Sequence, residues 1–322
     1  MADEKTVVAV DIGGTKIACG LVTLGDDVHV EEVTKVPTEA ARGGEHVLAT
    51  VIDQVTAALA RAEAKGLAPV GVGISSAGVV DPATGDITYA NEIMPGWGGT
   101  ALGAEVTRAC GLPCRVLNDV HAHALGEARR GGGRDAQSVL VCAVGTGIGG
   151  AFVEDGHIML GAHGEAGHIG HVACIEARGV PCSCGAEGHL EPIAAGPGII
   201  EEYIRLGGSP TDDDGTPVDG AVIDARAAEG DEAAQAAEAR SGRAIGEVLG
   251  SMCNMLDPER IILSGSVAQC GPHWADAMRQ SFARYAMPPV AQTPIVSGAL
   301  GGEAPLIGAA ENFVRTGYAS LE

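Results

Sequence analysis

At 322 residues the chain exceeds one comfortable hydrophobic core and predicts two lobes of roughly 150 residues each. With 46% hydrophobic but only 3% aromatic residues, its interior must be built from Ala, Val, Ile and Leu, which favours an α/β architecture and excludes a low-complexity chain. Twenty basic against 42 acidic residues, a net charge of −22, argue against a nucleic-acid or anionic-membrane partner; the densest basic stretch, ARRGGGR at 128–134, reads as a solvated loop.

The opening MADEK lacks the basic-then-apolar layout of a signal peptide, and the long uncharged run 136–153 is broken by glycines and polar residues, so a cytoplasmic chain is expected. Nine cysteines without regular spacing then suggest free thiols plus one local site rather than a disulfide framework. Cys110 and Cys114 read as ordinary loop thiols.

In chain order, TVVAVDIGGTKIACGLV (6–22) predicts a strand, a glycine turn and a second strand. A helix is expected over 45–65, a buried strand at 69–75, a helix at about 100–110, and the strand CRVLN (114–118) running into the helical DVHAHALGEARR. SVLVCAVGTGIGGAFV (138–153) repeats the opening pattern, and the Asp-Gly of EDGHI adds an antiparallel step, so an internal duplication is expected, one copy opening each lobe. Beyond it come a helix near 196–206, a polar loop at 207–220, helices at about 221–229 and 231–256, the strand RIILSG (260–265) and a last helix at about 303–315. Strands alternating with helices indicate an α/β fold.

DIGGTK (11–16) sets an acid and a glycine turn directly after a buried strand, where backbone N–H groups can face phosphate oxygens and Asp11 a hydrated Mg²⁺; a plain tight hairpin has the same pattern. GTGIGG (145–150) satisfies the dinucleotide-binding glycine pattern, but a strand follows instead of the required helix, and a second glycine turn remains. No P-loop motif occurs. Asn118 and Asp119 stand where a strand meets a helix, which suits either ligand binding or a helix cap. His121 and His123, on different faces of that helix, read as surface or packing residues. The segment GEAGHIGHVACIEARGVPCSCGAEGHLE (164–191) gathers His168, His171, Cys182, Cys184 and His189, more ligands than one tetrahedral zinc needs. His171, Cys182, Cys184 and His189 are the tightest set, with free core thiols as the alternative.

Taken together, DIGGTK, LNDVHAHALGE, GTGIGG, GHIGH…CSCGAEGHLE and IILSGSV resemble, in family order, the motifs of the ROK family of sugar kinases and repressors. The resemblance implies a two-lobed actin-like (ribonuclease H-like) ATPase fold of the hexokinase superfamily, expected here as a small lobe over 1–118 plus 303–322 and a larger one over 119–302. It implies ATP and Mg²⁺ at Asp11, Gly13, Gly14, Thr15, Lys16, Gly145, Thr146, Gly147 and Gly265. Asp119 would be the general base toward the sugar hydroxyl, with Asn91, Asn118, His168, His171 and Glu191 binding the sugar. A structural Zn²⁺ would be held by His171, Cys182, Cys184 and His189, and the chain would assemble as a homodimer or homotetramer.

Two residues depart from the family pattern. His189 replaces its third cysteine, and His168 replaces a sugar-binding Glu. GHIGH and the SGSV turn resemble bacterial N-acetylmannosamine kinases, so phosphorylation of that sugar at its 6-hydroxyl is expected, with a glucokinase as the alternative. Only ten residues precede Asp11, too few for the DNA-binding domain of the family's repressors, and Asp11, Asp119 and both glycine turns are intact, which weighs against a non-catalytic sugar-sensing regulator.

Overall fold

The computed structural model describes residues 4–212 and 214–315. The chain opens with β1 (Lys5–Ile12), β2 (Lys16–Leu24) and β3 (Val28–Pro37), then α1 (Gly44–Ala64), β4 (Val72–Ser76), β5 (Val79–Val80), β6 (Ile87–Tyr89), α2 (Leu102–Cys110), β7 (Cys114–Asn118) and α3 (Asp119–Arg130). There follow β8 (Ser138–Val144), β9 (Ile148–Glu154), β10 (His157–Ile158), α4 (Glu191–Ala194), α5 (Gly196–Arg205), α6 (Gly220–Glu229), α7 (Glu232–Leu256), β11 (Arg260–Ser264), α8 (Pro272–Tyr285), β12 (Ile295–Ser297) and α9 (Ala304–Arg315).

One five-stranded sheet has the order β3-β2-β1-β4-β7, with β1, β4 and β7 parallel. The other has the order β10-β9-β8-β11-β12, with β8, β11 and β12 parallel. In each, three consecutive strands are followed by two parallel additions, so the duplication expected from the two glycine turns is present as a repeated topology.

Strand β1 is buried on both faces, which is why it reads as a continuous apolar run rather than an alternating one. Val8, Val10 and Ile12 meet Val47, Val51 and Val55 of α1, while Val7 and Ala9 meet Leu306, Ile307 and Phe313 of α9. Those α1 valines recur every four residues and form one helical stripe.

The contacts divide the chain into two units: the described residues up to 137 with 151–167 and those from 299 onward, and 138–150 with 168–298. The expected division after residue 118 does not coincide with this one. Helix α3 belongs to the first unit because it is locked to α9: a methyl at Gly308 would lie 1.7 Å from Ala122 O, and one at Gly126 would lie 2.3 Å from Ala304 O. Buried Glu127 adds to the lock, its carboxylate accepting the amides of Ala299 and Leu300 at 2.9 and 2.8 Å. All nine cysteines are free, but Cys110 and Cys114 are not loop thiols: they end α2 and begin β7, and Cys114 is buried.

Candidate active site

In the first unit the parallel strands β1, β4 and β7 end together, pairing Asp11 with Ser75 and Ser76 with Asn118. Carboxyl ends of parallel strands are where an open α/β sheet exposes its backbone to ligands. Ser75 Oγ donates to Asp11 Oδ1 at 2.7 Å, fixing the carboxylate. Burial nevertheless raises the Asp11 pKa, against the opposing effects of Ser75, Lys16 and His123.

Asp119, the first residue of α3, is pushed up to about 6, mainly by burial and further by the Asp11 charge, while the Val120 amide at 2.9 Å pulls the other way. Its neighbour Asn118 is the helix cap: Oδ1 accepts from the amides of Val120 and His121 at 3.0 and 3.3 Å. Asn118 Nδ2 donates to Gly78 O at 2.8 Å, which leaves one amide proton for another acceptor. Capping of α3 thus falls to Asn118, while Asp119 accepts the Val120 amide at Oδ1.

The first glycine turn is closed by Gly13 N donating to Lys16 O at 3.0 Å and by Thr38 Oγ1 donating to Gly13 O at 2.6 Å. Thr15 and Lys16 are exposed at its tip. The loop bearing Asn91 lies against this turn, since a methyl at Gly14 would come within 2.9 Å of Ile93 Cγ2. Asn91 itself is exposed, its Oδ1 accepting the Ile93 amide at 3.1 Å. His121 is buried, with Nε2–H donating to Ala166 O at 2.6 Å, and His123 is partly buried and close enough to Asp11 to lower that acid's pKa.

In the second unit, Gly145 N donates to Gly147 O at 2.9 Å and Gly145 O accepts from Gly196 N, which ties the turn holding Thr146 to the start of α5. Gly265, at φ 87°, lies against the end of β8: a methyl there would come 2.2 Å from Val144 O. Glu191 Oε2 accepts the Ile148 amide at 2.8 Å, and Gly170, between His168 and His171, sits against both of those residues.

Cys182, Cys184, His171 and His189 converge so that one ligand atom from each lies within 4.8 Å of the others. The distances are 3.6 Å from Cys182 Sγ to His171 Nδ1 and 3.3 Å from Cys184 Sγ to His189 Nδ1. A tetrahedral zinc with Zn–S of ~2.3 Å and Zn–N of ~2.0–2.1 Å sets S···N edges of about 3.6 Å. The donor set and its spacing therefore fit such an ion. Gly185 and Gly188, at φ 90° and 82°, supply the left-handed backbone that folds Cys184 back toward His189. His171 turns Nδ1 to the cluster, and its ring centroid is 5.9 Å from that of the exposed His168.

Ser75 was not among the expected site residues. Its signal, a serine at the carboxyl end of the buried strand 72–76, becomes legible only once that strand is known to lie beside β1.

The ROK family model matches residues 7–315. The chain is 30% identical over 317 residues to a glucokinase of Halalkalibacterium halodurans, covering 95% of this chain and 94% of that protein. It is 32% identical over 262 residues to an N-acetylmannosamine kinase of Yersinia pseudotuberculosis, covering 80% and 82%. Among solved structures, a ROK family glucokinase from Streptomyces griseus in complex with glucose and AMPPNP matches with a TM-score of 0.75 at 29% identity, over 97% of this chain and 100% of that one.

Proposed function

Because the chain belongs to the ROK family and is a sugar kinase, we propose that it transfers the γ-phosphoryl group of ATP to the 6-hydroxyl of N-acetylmannosamine, with Asp119 as general base. His168 is the observation that carries the choice of sugar. An ionised Glu is acceptor-only, whereas a neutral imidazole offers one donor and one acceptor, and the donor suits an acetamido carbonyl. A fixed carboxylate facing that carbonyl would set two acceptors against each other with no donor between them.

Phosphoryl transfer asks the protein chiefly for positioning and charge stabilisation. The turns at Gly13–Lys16 and Gly145–Gly147 offer backbone N–H groups for phosphate oxygens, and Gly265 borders the adenosine. Mg²⁺, for which the Asp11 carboxylate is a suitable hard-oxygen ligand, would neutralise charge on the β- and γ-phosphates. Asp119, raised toward neutrality, is ionised at physiological pH yet basic enough to take the hydroxyl proton. Asn91, Asn118, His171 and Glu191 bind sugar hydroxyls in this reading. Zinc held by His171, Cys182, Cys184 and His189 would be structural, fixing the loop that carries His171 and Glu191.

The second reading is a glucokinase, favoured by the Halalkalibacterium relative and the glucose-bound Streptomyces structure. The deciding measurement is kcat/KM for glucose and N-acetylmannosamine with the native chain and His168→Glu. The proposal requires native preference for the acetamido sugar and a shift toward glucose in the variant; a native chain that prefers glucose, or a ratio that His168→Glu leaves unchanged, overturns it.

A further inference from the structure

A second set of metal-ligating side chains converges in the second unit, from α6, α7 and the residues just before α8. Asp224, Glu238 and Cys270 each present one ligand atom, and these atoms lie within 4.8 Å of one another. Glu238, on α7, is only 1% exposed, and neither of its carboxylate oxygens has a hydrogen-bond donor outside the adjacent Asp224 carboxyl. The arginines that follow on the same two helices pair with other acids: Arg226 with Asp212, Arg240 with Glu202 and Glu176, and Arg243 with Glu176.

A buried carboxylate with no donor beyond a second carboxyl is an expensive arrangement, and here that carboxyl and a thiol point to the same place. Asp224 is held in position by the Gly271 amide, which donates to Oδ1 at 2.7 Å at the start of α8. That outer hydrogen bond orients the carboxylate as second-layer partners do at metal centres.

We propose that Asp224, Glu238 and Cys270 form a second metal site, binding one zinc ion separate from the His171 cluster. The mixed donor set selects the metal: Mg²⁺ and Ca²⁺ favour all-oxygen shells, Cu(I) favours sulfur, and zinc accepts both thiolate and carboxylate. Three protein ligands leave a fourth tetrahedral position for water. Binding releases to solvent both the Cys270 thiol proton and any proton the two carboxyls share, and the ion neutralises most of the charge of the three donors. Because the ligands come from α6, α7 and the chain entering α8, the ion staples three segments far apart in sequence.

The test uses cobalt as a spectroscopic stand-in for zinc, in the full-length chain carrying Cys182→Ser and Cys184→Ser. In that background the expected result is thiolate-to-cobalt charge-transfer absorption saturating at about one ion per chain, and its loss on adding Cys270→Ser. Absent absorption in a chain whose circular dichroism is native, or absorption that survives Cys270→Ser, overturns the proposal and leaves Asp224 and Glu238 sharing a proton. Should the double-serine background not fold, elemental analysis of the zinc-loaded native chain decides: about two zinc ions falling to about one in Cys270→Ser supports the site, and an unchanged count sinks it.

Discussion

Glu191 Oε2 accepts the Ile148 amide at 2.8 Å, so the acid that follows the cysteine and histidine loop is bonded to the first residue beyond the Gly145–Gly147 turn. In the function proposed above, the turn faces phosphate and the carboxylate faces sugar, and one hydrogen bond joins them. A methyl at Gly147 would stand 2.9 Å from that same oxygen. In Gly147→Ala, Glu191 must move or the turn must open. With a hydrogen bond to a charged group contributing about 1.5–3 kcal/mol, kcat/KM for the sugar is expected to fall ~10–100-fold. Steady-state kinetics with the sugar varied reads the loss, and native kinetics in the alanine variant would show that the contact does not matter.

Asp119→Asn keeps the side-chain shape but cannot accept a proton. Turnover should fall by roughly 10²–10⁴-fold, the usual contribution of a general base, while sugar affinity by calorimetry stays within a few fold. Retention of most turnover would mean that the proton goes elsewhere.

The position of Asp119 also sets a pH profile. The base works ionised and its pKa is raised to about 6, so kcat/KM should be flat above neutrality and drop as pH falls through about 6, rather than near the ordinary carboxylate range. For stability the sign is opposite. The folded chain holds this proton more tightly than the unfolded one, so ionising Asp119 between the unfolded and folded pKa values destabilises the fold. Asp119→Asn should therefore melt higher than the native chain at neutral pH, with the gap closing on acidification; an acid limb near pH 4 would contradict the assignment.

Cys182→Ser with Cys184→Ser removes two of the four donors of the His171 cluster. The zinc bound there should be lost, and the sugar KM should rise at least several-fold because Cys182 no longer holds His171 and the loop toward Glu191 is released. Elemental analysis beside kinetics checks both, and zinc retained in full would point to other ligands.

The features legible in the sequence are those whose chemistry is local. DIGGTK and GTGIGG each fold as a glycine turn between two strands, Asn118 caps α3, and Cys182, Cys184 and His189 converge with His171, each feature within its own unit. Strand β3 escaped because its valines alternate with Glu31, Glu32 and Lys35 on a half-exposed sheet edge, and a bulge with Glu32 at φ 56° breaks the alternation. Helix α8 opens with Gly-Pro and buries only Trp274, Met278, Ser281 and Phe282. Its signal lay in its partner: methyls at Gly242, Gly246 and Gly250 of α7 would come within 2.3, 2.2 and 2.8 Å of the backbone oxygens of Trp274, Met278 and Phe282, a four-residue glycine spacing that announces a closely docked helix. Asp224, Glu238 and Cys270 are separated by chain that no spacing rule spans.

The edge strand β3 has a consequence for how the chain behaves at high concentration. An unpaired strand edge is a template on which another copy can add, and long flat apolar edges seed aggregation. Here the longest edge, Val28–Pro37, is twisted by the bulge at Glu32, carries Glu31 and Lys35, and ends in a proline that has no N–H to offer. The opposite edge, β7, spans five residues, and the edges of the other sheet, β10 and β12, span two and three. Among the described residues, no rim of either five-stranded sheet presents a long regular ladder, which disfavours strand-to-strand joining of copies crowded together in solution.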